Sequence, residues 1–436
     1  MLDVKSITRS VTKHFPHFGL NKKAQLVRLL YEIVQRDHKL IEDILNIKSA
    51  RQQPFHKIKS DLLVKRFPQL TDDERARWHF TPLEVNPKYK VRITGHKPFI
   101  PKNIFIEKEV ANSELVLSLK VRFPKAKYQM MSSYQRFIKE KRFDLSIYNR
   151  RTENLFIVTE RYDFLCSCPC TNGAVGCGYY ILNLGFGCGF ECAYCFLQSY
   201  TNAPGIVLPS NIEDFFEAFK KLPNKNIRIG TGQFTDSLIF DSLTGYSTKL
   251  VDFFREYPQT LFEFKTKSDN VDELLSVKAA NNIVVSWSVN PQNIIETTEF
   301  YTANLEERLS AALKCVQHGY KVGFHFDPII FYDGWKKDYQ NLVGEIFRRI
   351  SAPKIAWISL GCLRMTPKQK EAIENRFPDN AILNGELILG FDNKLRYSER
   401  VREDIYKKMH NWIRGQSKTV LVYLCMESQP TERTKL

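Results

Sequence analysis

The chain has 436 residues, 43% of them hydrophobic and 13% aromatic, enough to bury a sizeable core and to exclude global disorder. Lysine and arginine outnumber aspartate and glutamate 64 to 48, a formal charge of +16 that suits nucleic acid, an anionic surface or a generally basic solvated exterior. No apolar run reaches the ~18 residues that span a bilayer, and Met1-Leu2-Asp3-Val4-Lys5 lacks the apolar core of a signal peptide, so a cytoplasmic protein without membrane contact is expected.

Apolar positions at helical spacing, Leu26, Leu29, Leu30, Ile33 and Val34, then Leu40, Ile41, Ile44 and Leu45, predict two short amphipathic helices. With Arg51, Lys57, Lys59, Lys65 and Arg66 they make residues 1–95 a basic helical module, ending in a Pro-punctuated connector from Thr71 to Pro98. A capping role and the binding of nucleic acid or a partner are both open to it. Residues 96–177 form an accessory segment leading into the main domain. Strand-like Ile104-Phe105-Ile106 and Asn154–Val158 flank a helical run through Leu115-Val116-Leu117. Basic and aromatic residues interleave from Arg122, Lys125, Lys127 and Tyr128 through Lys141 and Arg142 to Arg150 and Arg151. Such a stretch suits phosphates and unpaired bases; amphipathic helices with snorkelling Lys and Arg look the same. Cys166, Cys168, Cys170 and Cys177 close the segment. Their C-x-C-x-C spacing matches neither zinc nor ferredoxin runs, which ranks inert thiols ahead of a second metal.

From Gly178 strands and helices alternate. Strand-like Tyr179–Leu184 is followed by Ile227–Ile229, Leu261–Phe264, Ile283–Asn290, Tyr320–Pro328 and Ile355–Leu360, with helices predicted at 211–222, 247–257, 271–277, 305–319 and 339–350. Six strands in parallel βαβ order predict an α/β fold, a partial, TIM-like (β/α)6 barrel over 178–385, followed by a basic hairpin and helix over 386–436. In such barrels chemistry sits at the carboxyl ends of the strands. There lie the cysteine loop, Gly230 to Asp236, Lys267, Ser286 to Asn290 and His325 to Asp327.

The first of those ends carries Cys188, Cys192 and Cys195 at C-x3-C-x2-C, with a helical stretch expected after them. Four thiolates close a zinc or cluster site, whereas three on so short a loop leave one iron of a four-iron cube open to a small chelating molecule. A zinc knuckle or a disulfide pair is the plainer alternative. Ten cysteines in all, three at cluster spacing, fit a reducing compartment.

With Tyr194 directly before the last cysteine, the loop resembles the signature of the radical S-adenosylmethionine superfamily. That resemblance implies a [4Fe-4S] cluster on Cys188, Cys192 and Cys195 and S-adenosylmethionine on the open iron, with Tyr194 against its adenine. It also implies a flavodoxin- or ferredoxin-like electron donor and a 5′-deoxyadenosyl radical as the product of reduction. From about Pro98 onward, ordered blocks resemble the spore photoproduct lyase family: Gly187–Gln198, Thr266-Lys267, Val271–Leu275, Ser288-Val289-Asn290, Glu307–Ala312, Gly319–Phe324, Pro328-Ile329, Gly334-Trp335 and Lys394–Tyr397.

This second resemblance implies action on a thymine lesion in DNA. Gly230 and Gly232 would let the backbone approach the methionine, Lys267 would pair with its carboxylate, and Ser288 and Asn290 would hydrogen-bond the carboxylate or ribose. Lys394, Arg396 and Tyr397, with Arg400 and Arg402, would contact phosphates. Gln233 stands where the family has its hydrogen-donor cysteine, and Phe196 where it has a tyrosine. A thiol S–H quenches a carbon radical and an amide N–H does not, so Cys362, Cys315 or the Cys166–Cys177 group are the replacement thiols to consider. Tyr194, Gln233 and Cys362 are the candidate catalytic residues. The alternatives are the same radical start on RNA, a nucleoside or a peptide, and a non-catalytic nucleic-acid-binding protein that keeps a cluster. The oligomeric state is not legible.

Overall fold

The computed structural model describes residues 4–95, 98–139, 143–170, 174, 177–200 and 203–428; Met1-Leu2-Asp3 and, in the basic stretch, Lys141 and Arg142 lie outside the described residues. Two compact units divide the chain: Met1–Arg92 with Cys362–Ile405, and Ile93–Gly361 with Tyr406–Leu436.

In the first unit the helix Leu20–Asp37 packs with Val4–His14 and Phe55–Arg66 around Ile7, Val11, Leu26, Leu29, Leu30, Ile33, Ile58 and Leu62. The central helix is buried on more than its apolar stripe, because Arg28 and Glu32 also face inward. Glu32 accepts from Arg66 Nε at 2.8 Å and Lys370 Nζ at 2.5 Å, and Arg28 pairs with Glu374 at 2.5 Å. Arg66 further donates to the carbonyls of Leu383, Asn384 and Gly385. These bonds explain why 362–405 folds with the N-terminal helices, so residues 362–385, expected in the barrel, belong to this unit instead. A three-stranded antiparallel sheet, Arg364–Met365, Leu395–Tyr397 and Leu387–Leu389 in spatial order, completes it.

The second unit holds the barrel strands β1 (Tyr179–Leu182), β2 (Arg228–Gly230), β3 (Leu261–Thr266), β4 (Ile283–Ser288), β5 (Lys321–Ile329) and β6 (Ile355–Cys362), adjacent in sequential order. β1 through β5 pair parallel. Leu165–Ser167 adds an antiparallel strand beside β1 and Leu421–Leu424 a parallel one beside β6. Every residue of β4 is buried, as an unbroken Ile-Val-Val run requires when helices cover a parallel sheet. The crossover helices include Leu305–His318, started by a capping box between Asn304 and Glu307 and stopped by Gly319 at φ +110°. The α/β class and partial barrel are those expected from the alternation.

A second sheet was not expected. Lys127–Met131, Asn103–Glu107, Asn154–Val158 and Ile206–Pro209 form four parallel strands in that order. Its last strand, which was not predicted, lies between the cysteine loop and the helix Ile212–Lys220 expected at 211–222; among the described residues directly after the loop a 3-10 turn, Phe196–Ser199, forms. No described helix is long and apolar enough to cross a membrane.

Candidate functional site

The cysteine loop leaves the carboxyl end of β1 and is fixed from four sides. Gly187, at φ +90°, donates its N–H to Phe234 O at 2.8 Å, and a Cβ there would come within 3.1 Å of Ile206 Cδ1. Glu191-Cys192 pairs antiparallel with Glu299-Phe300. Ala193 N–H donates to Thr298 O at 2.7 Å, and the buried Gln198 amide donates to Ala193 O at 2.7 Å. Cys188, Cys192 and Cys195 stand as free thiols.

Burial pushes the Cys188 thiol up to about 12, with the charges of Asp236 and Cys195 adding to it. Cys192 is pushed up by burial and by Glu299, Cys195 and Cys188, while Lys267 pulls it down. The three sulfurs therefore sit within electrostatic reach of one another. Among the described residues no three His, Cys, Asp or Glu side chains are gathered for a single ion. Three free thiols that sense one another, with Lys267 near Cys192, are a donor set that suits three irons of a cube, one thiolate to each.

Arg151 is the loop's internal clamp. Its guanidinium, 2% exposed, pairs with Glu191 at 2.6 Å and donates to Cys188 O at 2.9 Å, Phe190 O at 2.5 Å and Tyr148 O at 3.2 Å, with the Tyr148 ring stacked 4.3 Å away. Its place in the basic-aromatic stretch marked it for phosphates. Its charge is met by Glu191 instead, and two of its donors hold the backbone on either side of Gly189, at Cys188 O and Phe190 O.

Lys267 Nζ lies 5.7 Å from the centre of the Tyr194 ring, and Cys192 and Glu299 raise its pKa against the burial that would lower it. The Tyr194 hydroxyl donates to Glu299, which also pairs with Arg308 at 2.6 Å and accepts from Asn290 Nδ2 at 2.8 Å. Asn290 Oδ1 accepts from Tyr339 at 2.7 Å. Arg308 donates to Ser288 O at 2.8 Å. So one N–H and the oxygen of the Asn290 amide are engaged by protein, which ties this residue to Glu299 and Tyr339. Ser288, 6% exposed, ends β4 directly beside His325 of β5. Glu299, Arg308 and Tyr339 lay outside the sequence-based set; Arg308 stood inside the quoted Glu307–Ala312 block without a role.

Gly230 and Gly232 are required by the protein itself. A Cβ on Gly230 would meet Glu263 O at 2.2 Å and Tyr179 Oη at 2.3 Å, and one on Gly232, at φ +93°, Lys265 O at 2.6 Å. Asp236 ties the rest of this loop to β3: it accepts from Leu238 N, Ile239 N, Thr266 Oγ1 and Lys267 N at 2.7 to 3.0 Å. Half-buried Gln233 precedes Phe234, whose ring meets Phe186 at 6.0 Å and Phe196 at 6.4 Å. One departure from the family pattern, Phe196, thus meets the residue that follows the other. Of the replacement thiols, Cys315 is buried in a crossover helix and Cys362 is buried as the last residue of β6, where the chain passes into the first unit. Cys168 and Cys170 stand with Sγ atoms 3.7 Å apart.

Inside the barrel, Glu263 takes a hydrogen bond from Arg228 at 2.9 Å and contacts His325 Nε2 at 2.7 Å, while His325 Nδ1 meets Ser359 Oγ at 2.5 Å. Burial lowers the His325 pKa against the opposing pull of Glu263. This layer was not foreseen beyond the placement of His325 at a strand's polar tail.

The predicted phosphate contacts divide. Arg396 is 1% exposed and gives both arms of its guanidinium to Asp392, at 2.9 and 2.6 Å; Tyr397 is 2% exposed; Arg402 is 8% exposed and donates to Tyr397 O at 2.6 Å. These three build the first unit, because the short strand Leu395–Tyr397 is the middle of its sheet. Lys394 is half-buried, 3.5 Å from Asp392, and only Arg400 is exposed, donating to Gln69 O at 2.6 Å.

Comparison with known proteins bears on the same residues. A spore photoproduct lyase from Geobacillus sp. is 28% identical over 294 residues, 65% of this chain and 84% of that protein. One from Clostridium acetobutylicum is 26% identical over 209 residues, 47% of this chain and 62% of the relative, so the chain spans about three fifths of that protein's length. Among solved structures, spore photoproduct lyase complexed with dinucleoside spore photoproduct superimposes with a TM-score of 0.65 at 24% identity, covering 76% of this chain and 100% of that one. A mutant with bound AdoMet and the same dinucleoside gives the same values; at this identity both show the fold. The spore photoproduct lyase family model matches residues 99–407, which takes in the cysteine loop, the whole barrel and the Lys394–Tyr397 strand, and the chain therefore belongs to the spore photoproduct lyase family.

Proposed function

We propose that this protein is a radical S-adenosylmethionine enzyme acting on a thymine photoproduct, or a closely related base lesion, in DNA. The observation that carries the reading is the loop of Cys188, Cys192 and Cys195, clamped by Arg151 at the carboxyl end of β1 with Lys267 beside it. A relative solved with AdoMet and dinucleoside spore photoproduct supports the choice of cofactor and substrate. When bound, a [4Fe-4S] cluster on the three thiolates would supply the electron that splits the sulfonium cofactor to a 5′-deoxyadenosyl radical.

The chain's own residues do the rest. Lys267 offers a cation for the cofactor's carboxylate, next to the Tyr194 ring that would lie against adenine. Glu299 fixes the Tyr194 hydroxyl, and Arg308 cancels the carboxylate charge, so this wall orients the ring without adding net charge. Asp236 pins the Gln233 loop to β3. Gln233 lacks the S–H, and Phe196 the O–H, of the family pattern, so hydrogen return to the base does not run through these two positions as it does in the family. A cytoplasmic setting suits ten free thiols. DNA is the partner that the basic excess favours.

Oxygen-free, reconstituted protein given dinucleoside spore photoproduct and S-adenosylmethionine should yield 5′-deoxyadenosine and restored thymine. Cofactor cleavage with the lesion left intact would move the substrate to RNA, a nucleoside or a peptide. DNA binding unchanged in Cys192→Ala, without cofactor cleavage in the parent protein, would make it a non-catalytic binder.

A further inference from the structure

The reading above needs an electron from outside the chain, and one surface of the second unit is shaped to receive its carrier. The helix Glu114–Arg122 and the edge strand Lys127–Met131 expose Leu117 at 52% and Val121 at 83%, one helical turn apart. Lys120 and Arg122 on the same helix, Lys125 in the turn after it and Lys127 at the start of the strand are all exposed, and none carries an ion pair among the described residues. The nearby acid Glu114 turns to Lys249 at 3.7 Å. An exposed apolar pair with four free cations on the same helix, turn and strand is the pattern of a protein interface steered by charge.

Beneath this patch runs a packed route to the cysteine loop. Phe123, next to Arg122, meets Phe99 edge to face with centroids 6.4 Å apart, and Phe99 meets Phe240 at 4.8 Å. Phe240 reaches the loop: a carbon placed on Gly189, between Cys188 and Cys192, would lie 3.6 Å from Phe240 Cζ. We propose that the Leu117–Val121 patch docks a small acidic one-electron carrier protein, and that its electron passes through the Phe123, Phe99 and Phe240 packing to the cluster loop. The carrier is oxidised by one electron, the cluster is reduced by one, and no bond in the chain is made or broken. This rests on the cluster reading of Cys188, Cys192 and Cys195. A nucleic acid is the competing occupant, but it leaves the exposed apolar pair unused.

A flavodoxin serves as probe, with duplex DNA as the control ligand. In reconstituted protein, Lys120→Glu with Lys125→Glu should weaken flavodoxin binding at low salt by ~10-fold or more, a difference that fades at high salt. Reduction by flavodoxin should slow by a similar factor, while reduction by dithionite, which needs no docking, stays unchanged. Val121→Asp should act in the same direction. Unchanged flavodoxin affinity with normal dithionite reduction would overturn the proposal, as would loss of DNA affinity alone. A wild-type protein that dithionite cannot reduce would sink the cluster reading instead, and the docking role with it, a failure visible in a different arm of the same experiment.

Discussion

Arg151→Ala is the sharpest probe of how the cysteine loop is held. The substitution removes the ion pair to Glu191, 2% exposed, and the donors to the carbonyls of Cys188, Phe190 and Tyr148. Breaking a buried ion pair on one side costs about 3–5 kcal/mol. Each dry carbonyl adds about 1–3 kcal/mol at most; shared relaxation keeps such terms from adding, so about 3–5 kcal/mol is the expected total. Urea unfolding of the second unit should read that loss. If the loop must first reorder to take iron, the same energy lowers cluster affinity by about a hundredfold or more, at about 1.4 kcal/mol per tenfold. Iron bound per chain under limiting chelator measures it. Arg151→Met with Glu191→Gln should recover most of the stability, because no charge is left buried. A single variant that unfolds like the parent, or a double variant no better than the single, would refute the clamp.

In the first unit, Glu32→Gln should cost about 3–5 kcal/mol, since Arg66 and Lys370 lose their shared carboxylate. Burial would push the Glu32 carboxyl up, but Lys370, Arg66 and Arg28 outweigh it and hold it far below the usual 4.5, so the contribution is full above pH 4.5 and fades as pH falls. The gap between parent and variant should narrow in acid; a gap independent of pH would contradict the assignment. Arg396→Ala should lower the unfolding midpoint and leave the salt slope of DNA binding unchanged. Its partner Asp392, raised by burial but pulled down to about 2 by Arg396 and Lys394, should lose its stabilising part as pH falls from 3.8 through about 2. A smaller salt slope with unchanged stability would restore Arg396 to the phosphates. Gln233→Cys should raise the share of lesion converted to thymine, read by mass spectrometry of the products; an unchanged product distribution would show that position 233 does not face the substrate.

The parts of the fold that were legible are those written in local pattern. Most barrel strands carry β-branched and aromatic residues, as in Ile283–Ser288, and helices at 3.6-residue spacing follow them, so the alternation and helices such as Leu305–His318 were legible from periodicity. The cysteine spacing fixed the loop in the same local way. What escaped depends on partners far along the chain. Arg151 looks like any exposed arginine until Glu191, forty positions later, folds over it. Ile206–Pro209 was hidden because it pairs with Asn154–Val158 across the whole cysteine loop. Arg396 and Arg402 look like a DNA-facing cluster, and only the sheet pairing of Leu395–Tyr397 turns Arg396 toward Asp392. Glu299 and Arg308 are a buried pair that no composition rule singles out.

The central claim is that Cys188, Cys192 and Cys195 hold an iron cube with one corner left for the methionine end of the cofactor. Electron paramagnetic resonance of oxygen-free, reduced protein tests it directly. The account predicts the signal of a reduced [4Fe-4S] cluster that shifts when S-adenosylmethionine is added and is lost in Cys192→Ala. Protein that takes up zinc and no iron, or a cluster signal indifferent to the cofactor, would contradict it.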